Sequence, residues 1–202
     1  MSIFMCLCYV CIYRLGLRCK EIGRFTPSLA NLTQAVALLE RHQHASLNNP
    51  NNPNNPSSPN NSDEVTRTLA SVRCILGNVL AESGNPLGAK LQYHTALDSD
   101  PTSIQALYNL GGLSMEYNHL NLAKKYFNHG IKNINNEKQI IKKKLFICKN
   151  NPYNPNKPDT FSDPADIEEL ESKLRQHERL LMTGVASMAK IHLQVQVYSI
   201  VL

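Results

Sequence analysis

Two stretches of the sequence match each other when the chain is compared with itself at a displacement of 34 residues. Identical or similar residues recur at that spacing, and several of them are small. Helical amphipathicity repeats apolar positions, but it does not place small residues in register. The match therefore predicts a repeated structural unit. The matching pairs are Leu76 and Leu110, Gly77 and Gly111, Glu82 and Glu116, Gly84 and Asn118, Ala89 and Ala123, Tyr93 and Phe127, Ala96 and Gly130, and Leu97 and Ile131.

A glycine inside each repeated unit needs a structural reason. In the stretch LYNLGGLSMEY, apolar residues follow helical spacing around Gly111. An interior glycine costs roughly 1 kcal/mol of helix stability relative to alanine. We expect Gly77 and Gly111 to lie where the first helix of each unit crosses the second, because a missing Cβ lets two helices approach closely. Ala89 and Ala123 are predicted opposite these glycines.

The repeated residues resemble the tetratricopeptide repeat, a helix-turn-helix unit of 34 residues. The resemblance implies an all-α solenoid of helical hairpins, wound as a right-handed superhelix and closed by capping helices. Arg73 departs from the pattern at an aromatic position, and no proline ends the second unit. The first unit, about 70–103, carries Leu76, Gly77, Gly84, Ala89, Tyr93, Ala96 and Pro101. The second, about 104–137, carries Leu107, Leu110, Gly111, Ala123, Phe127 and Gly130.

Two Asn/Pro-rich stretches divide the chain. Residues 46–62 are predicted to be a disordered insert and 149–163 a loop, because proline removes backbone donors and asparagine favours turns. Residues 1–45 are an N-terminal helical region, in which about 9–45 is either a degenerate unit or a generic helical hairpin. Residues 63–148 hold the two units and a following helix. The residues that suggest the degenerate unit are Leu15, Gly16, Gly23, Phe25, Ala30 and Ala35.

Two more helices are predicted after the second unit. The stretch EKQIIKKKLFICK is typical of a helix that caps a repeat array. The segment from 164 to about 192 begins with Asp163 as N-cap and Pro164 at the first helical position. It is either a second cap along the array or a coiled-coil dimerisation helix, and the last residues of the chain fit a strand or a helix end. Its apolar row contains Ile167, Leu170, Leu174, His177, Leu181, Val185 and Met188.

The resemblance also implies a groove, lined by the first helix of each unit, that receives an extended or helical peptide. Asn78 and Asn109 fall on two positions with which some of these repeats clamp the C-terminal carboxylate of heat-shock chaperones, and Lys143 falls near a third. Cys74 and Gln139 replace two clamp lysines, so the clamp is incomplete. The expected groove residues are Asn78, Glu82, Gln105, Tyr108, Asn109, Gly112, Met115 and Glu116, with Ser71, Cys74, Ile75 and Ala81 beside them.

Sequence patterns of catalytic and nucleotide sites are missing, including GxxxxGK[ST], HExxH and GxSxG. The seven histidines are scattered, and the cysteines near the N-terminus lack partners for a zinc site. We therefore predict that the protein is not an enzyme and has no cofactor, metal or small-molecule substrate. The net charge of +5 is mild, and the basic run Lys142–Lys144 lacks interleaved aromatics, so nucleic acid is not a favoured partner.

The apolar run Ile3–Tyr13 is shorter than the ~20 residues that cross a bilayer, and no basic segment precedes it. Neither membrane association nor secretion is therefore favoured, and the cysteine usage indicates the cytoplasm, with the nucleus as an alternative. The predicted function is that of a non-catalytic adaptor or scaffold that binds a protein or peptide partner. The alternatives are a structural subunit of a larger assembly and an RNA-binding helical repeat protein.

Overall fold

The computed structural model describes residues 2–47, 59–150 and 164–201. Over these ranges the chain forms seven helices and no β-strand. The chain divides into two compact units, Met1–Leu113 and Ser114–Leu202. The helices are α1 (Ser2–Glu21), α2 (Phe25–Leu47), α3 (Pro59–Glu82), α4 (Pro86–Ser99), α5 (Ile104–Glu116), α6 (Leu120–Asn150) and α7 (Pro164–Val201).

The first hairpin, formed by α1 and α2, is built around a close contact between Gly16 and Leu32. A Cβ on Gly16 would lie 2.9 Å from Leu32 Cγ, closer than two carbon atoms pack without a shift of one of them. The buried hydroxyl of Ser28 donates a hydrogen bond of 2.8 Å to the Gly16 carbonyl oxygen. The missing side chain at Gly16 therefore makes room for α2.

The second hairpin, formed by α3 and α4, repeats this arrangement. A Cβ on Gly77 would collide with the ring of Tyr93, lying 2.8 Å from Cδ1 and closer still to Cε1. Tyr93 follows Gly77 at the same distance in sequence as Leu32 follows Gly16. The two hairpins are therefore copies of one unit, and the predicted all-α helical repeat fold is confirmed.

Three of the connections between consecutive helices contain a residue with a positive φ angle. The φ angles are 72° at Gly23, 85° at Gly84 and 58° at Asn118. Each of these residues stands at the same spacing after the central glycine of the preceding helix. Glycine has no Cβ to oppose this backbone conformation, and asparagine tolerates it better than most residues. The sequence match of Gly84 with Asn118 thus corresponds to a shared backbone conformation.

Two predicted packing positions are wrong in detail. Tyr93, and not Ala89, occupies the space nearest to Gly77. In the first hairpin, Ser28 and Leu32 are buried whereas Ala30 is exposed. Ala30 is two residues from each of them, which places it on the opposite side of α2. The residue of the first hairpin that corresponds to Ala89 is therefore Ser28, and the assignment of Ala30 to the degenerate unit is wrong.

The core of the first unit lies mainly between α2 and α3. A second, smaller cluster joins α3, α4 and the start of α5 through small side chains, which allow close helix packing. Burying such side chains contributes roughly 25 cal/mol per Å² of apolar surface. The α2–α3 core contains Leu32, Ala35, Val36, Leu39, Leu69, Val72, Leu76 and Val79. The second cluster contains Ala70, Cys74, Ala96 and Ala106.

The helices extend further into the Asn/Pro-rich stretches than predicted. Helix α2 continues to Leu47 and α3 begins at Pro59, so both ends of the predicted insert 46–62 are helical. Proline is well tolerated at the first position of a helix, where its missing N–H is not needed. Helix α6 likewise ends at Asn150, so the first two residues of the predicted loop 149–163 are helical. The rest of the two stretches, 48–58 and 151–163, lies outside the described residues.

Helix α6 is continuous from Leu120 to Asn150, which contradicts the predicted boundary at residue 137. The second helix of the second repeat and the expected capping helix are one element. After Gly130 this part of the sequence contains no glycine or proline that would end a helix. The absence of a terminal proline in the second unit, noted above, thus has a structural consequence.

Helix α7 packs along α6 within the second unit. His177 Nε2 lies 2.5 Å from Glu137 Oε2, and Lys149 Nζ lies 2.8 Å from Glu171 Oε1. Ile191 is buried. The predicted cap is therefore consistent with the packing of α7, although Val185, which we placed in its inward row, is exposed. The helix continues to Val201, so the chain end is helical and not a strand.

Candidate partner-binding face

Polar side-chain contacts join the first helices α1, α3 and α5 within the first unit. We define the first-helix face as the side chains of Tyr13, Lys20, Asn78, Glu82, Gln105, Tyr108 and Asn109 on α1, α3 and α5. Lys20 Nζ forms a salt bridge of 2.9 Å with Glu82 Oε1, which joins α1 to α3. Glu82 and Gln105 are exposed. The face is therefore reachable from solvent and spans three helices.

An amide network joins α3, α4 and α5 in the middle of this face. The oxygen Oδ1 of Asn78 accepts hydrogen bonds from Tyr93 Oη at 2.7 Å and from Asn109 Nδ2 at 2.8 Å. Asn78 and Asn109 are both half-buried. The network holds the two amides in place, since each participating group fixes the orientation of the next. The sequence predicted both asparagines for this face but not the bond between them.

Two tyrosines add aromatic surface to the polar network. Tyr13 and Tyr108 are half-buried, and burial raises the pKa of both phenols above its usual value. A phenol that keeps its proton offers a hydrogen-bond donor and an acceptor beside an apolar ring. Gly112 lies on the same helix as Tyr108, and nothing approaches within 4 Å of the place where its Cβ would stand. Gly112 therefore does not make room for a neighbouring side chain, as Gly77 does for Tyr93.

The prediction that Cys74 lies beside the groove is wrong. It is fully buried among Ala70, Ala96 and Ala106, and burial raises the pKa of its thiol to about 12. Its position in the repeat pointed toward the groove, but the close approach of α5 covers it. A partner cannot use Cys74 as it would use a lysine at that position. Ser71 is exposed, and Ile75 and Ala81 are half-buried.

Lys143 was expected near a third clamp position if a new first helix followed the second unit, and no such helix begins there. This residue is exposed on α6, the same helix as Ala123 and Phe127. The prediction required a new first helix in this region, and α6 provides none because it is uninterrupted. Met115 and Glu116 stand at the end of α5 and belong to the second unit, with Met115 half-buried and Glu116 exposed.

Arg73 is a buried cation that sequence reasoning noted only as a departure from the repeat pattern. Its Nη2 lies 2.6 Å from Glu40 Oε1 on α2, and its Nη1 donates to Thr95 O at 3.0 Å and to Ser99 Oγ at 2.5 Å on α4. The side chain of Arg73 is 11% exposed and that of Glu40 41%. Arg73 therefore connects three helices where an aromatic ring would only fill space.

The described residues contain neither a cluster of metal-ligating side chains nor a helix that could cross a bilayer. Among them no group of three or more His, Cys, Asp or Glu side chains is placed to hold a metal ion. None of the described helices is both long and apolar enough to cross a bilayer. The described cysteines Cys11, Cys19, Cys74 and Cys148 are free thiols.

No protein-family model matches the sequence, and no curated protein matches it significantly. Among solved structures, one crystal structure of MamA aligns with 64% of this chain and 80% of its own, at 17% identity and a TM-score of 0.34. Another crystal structure of MamA aligns with 91% of this chain and 89% of its own, at 13% identity and a TM-score of 0.32. Both TM-scores are below 0.5, so the repeat fold rests on the hairpin geometry itself.

Proposed function

We propose that the protein is a non-catalytic interaction scaffold, built from tetratricopeptide-like hairpins, that binds a partner polypeptide on the first-helix face. The observation that carries this proposal is the amide network, in which Asn78 and Asn109 join neighbouring first helices. A face held together in this way keeps its shape before a partner arrives. Preorganisation of this kind lowers the entropic cost of binding.

The chemistry of the face suits a polypeptide backbone. The network uses the oxygen of Asn78 and one amino hydrogen of Asn109. It does not use the amino group of Asn78 or the oxygen of Asn109, and these supply the donor and acceptor that a peptide bond requires. The neighbouring Tyr108 adds an apolar surface for a side chain. We expect the partner to be an extended or helical segment, with modest selection of its side chains.

The experiment compares proteins that co-purify with the wild type and with variants of the face, quantified by mass spectrometry. Gln105→Ala and Tyr108→Ala are the test variants, because neither side chain is hydrogen-bonded to Asn78. Lys90→Ala, on the exposed side of α4, is the matched control. We expect the same partners to be depleted by both test variants and retained by the control. Retention of all partners by both test variants, with unchanged helicity, would contradict the proposal.

A structural subunit of a larger assembly is the second candidate, and the surface of α4 favours it. Leu91 is 63% exposed and lines a cleft of about 320 Å³ together with Leu29 and Leu80. Exposed apolar surface of this kind is typical of protein contacts. Leu91→Glu should release a permanent partner and raise the solubility of the isolated chain. A wild-type chain that purifies readily without a partner, with the same solubility as Leu91→Glu, would contradict the subunit and favour the free scaffold.

A further inference from the structure

Helix α7 carries a second apolar row on the side away from α6. Met182 is 70% exposed and Leu193 is 61% exposed, and Ala186 and Ala189 between them are exposed as well. These four residues, which we call the outer row of α7, span twelve residues, or about 16 Å of helix from the first to the last. They alternate in helical spacing with the inward residues, of which Gly184 and Ile191 are buried. Helix α7 is therefore apolar on two sides, and only one of them faces α6.

The outer row is symmetric about its own centre. Its members are spaced by four, three and four residues, with large side chains at both ends and alanines in the middle. A second copy of the same helix, laid against the first in the opposite direction, would place Met182 against Leu193 of the partner subunit. Ala186 would then face the partner's Ala189, where small side chains let the helices approach closely. A surface that matches itself after a two-fold rotation is what a symmetric dimer requires.

The charge of Arg179 favours the antiparallel arrangement. Arg179 lies three residues before Met182 and continues the row by one position. In a parallel pair it would face its own copy, and like charges at such a position are destabilising. In the antiparallel pair, Arg179 faces the partner's Gln196, which is uncharged.

We infer that the protein self-associates through α7, whose outer row pairs with that of a second copy about a two-fold axis between Ala186 and Ala189. The row is short compared with a standard interface, so the dimer is weak, with a dissociation constant in the micromolar range or above. This surface is separate from the first-helix face, so dimerisation and partner binding can be tested independently. The sequence allowed α7 to be either a cap or a dimerisation helix. In this arrangement the side that faces α6 is the cap, and the outer row is the dimerisation surface.

The test is sedimentation equilibrium of the full chain over a wide concentration range. Met182→Glu and Leu193→Lys should each raise the dissociation constant of the dimer at least about tenfold, because every substitution occurs twice in a symmetric pair. Thr183→Glu and Gln194→Lys introduce the same charges at the adjacent exposed positions, off the row, and should leave the constant unchanged. Far-UV circular dichroism checks that all variants keep their helix content.

The double variant Met182→Glu/Leu193→Lys tests the direction of pairing. In the antiparallel dimer each introduced carboxylate faces an introduced ammonium group of the partner, so dimerisation should recover relative to either single variant. In a parallel dimer like charges would meet, and dimerisation should weaken further. A wild-type chain that stays monomeric throughout, a dimer insensitive to both single variants, or a double variant weaker than either single variant would overturn the inference.

Discussion

Replacing Gly77 by alanine should destabilise the protein, although alanine is the better helix former. The new Cβ would meet the ring of Tyr93 at three carbon atoms, including Cδ1 at 2.8 Å and Cζ at 3.0 Å. The ring has little freedom to move, because Tyr93 is 3% exposed and its hydroxyl group is hydrogen-bonded to Asn78. Either α4 shifts away from α3 or the ring leaves its place.

The size of the effect follows from three contributions. Overpacking of a core contact costs roughly 1–3 kcal/mol. Loss of the Tyr93–Asn78 hydrogen bond adds about 1 kcal/mol if the ring moves. The higher helix propensity of alanine returns about 1 kcal/mol. We therefore expect Gly77→Ala to lower the free energy of unfolding by about 1–3 kcal/mol.

Urea unfolding followed by circular dichroism measures this change, and Gly112→Ala is the matched control. Gly112 is also inside a helix, but no atom beyond its own stretch of helix backbone lies within 4 Å of its Cβ position. Only the difference in helix propensity therefore applies. Gly112→Ala should raise the free energy of unfolding by up to about 1 kcal/mol. A Gly77→Ala variant as stable as the wild type, or more stable, would refute the proposed crossing of α3 and α4.

Three further predictions concern residues outside the first-helix face. Arg73→Leu should lower the free energy of unfolding by about 2 kcal/mol in urea titrations, because it leaves Glu40 and the Thr95 carbonyl group without their cation. Glu40→Gln should lower it by less, because Glu40 is partly exposed to solvent. Burial raises the pKa of the Cys74 thiol from 9.0 to about 12, so the folded state disfavours the thiolate. The stability that Cys74 contributes over Cys74→Ser should be complete below about pH 9 and fall as the pH rises toward 12; a constant difference would contradict the burial. Gly84→Ala should cost about 1–2 kcal/mol because φ is 85°, and Gly84→Asn should cost less, as judged by thermal denaturation; equal costs would argue against the left-handed turn.

The repeat could be predicted from the sequence because small residues and turn residues depend on local backbone geometry. Gly77, Gly84 and their counterparts recur at a fixed spacing, and the structure places two of the turns at glycines with positive φ. The first hairpin was harder to align. Ser28 and Leu32 stand there at the positions that Ala89 and Tyr93 hold in the second hairpin. Because the residue types differ, a comparison of the two sequences does not match these positions, whereas the structure does.

Features that depend on long-range contacts could not be predicted. Arg73 finds its partners on α2 and α4, and nothing in its local sequence indicates Glu40 or Ser99. The continuity of α6 was missed because the repeat period imposed a boundary that no glycine or proline marks. Cys74 was placed by its position in the repeat, but its burial depends on Ala106 of the following helix.

Site-specific photo-cross-linking tests the central claim most directly. A photoreactive phenylalanine analogue would replace Gln105 on the first-helix face or Lys90 on α4, both of which are exposed. With the partner identified by co-purification, we expect cross-links to that partner from position 105 and none from position 90. Cross-links from position 90 alone, at equal expression and helicity of the two variants, would place the partner elsewhere and contradict the account.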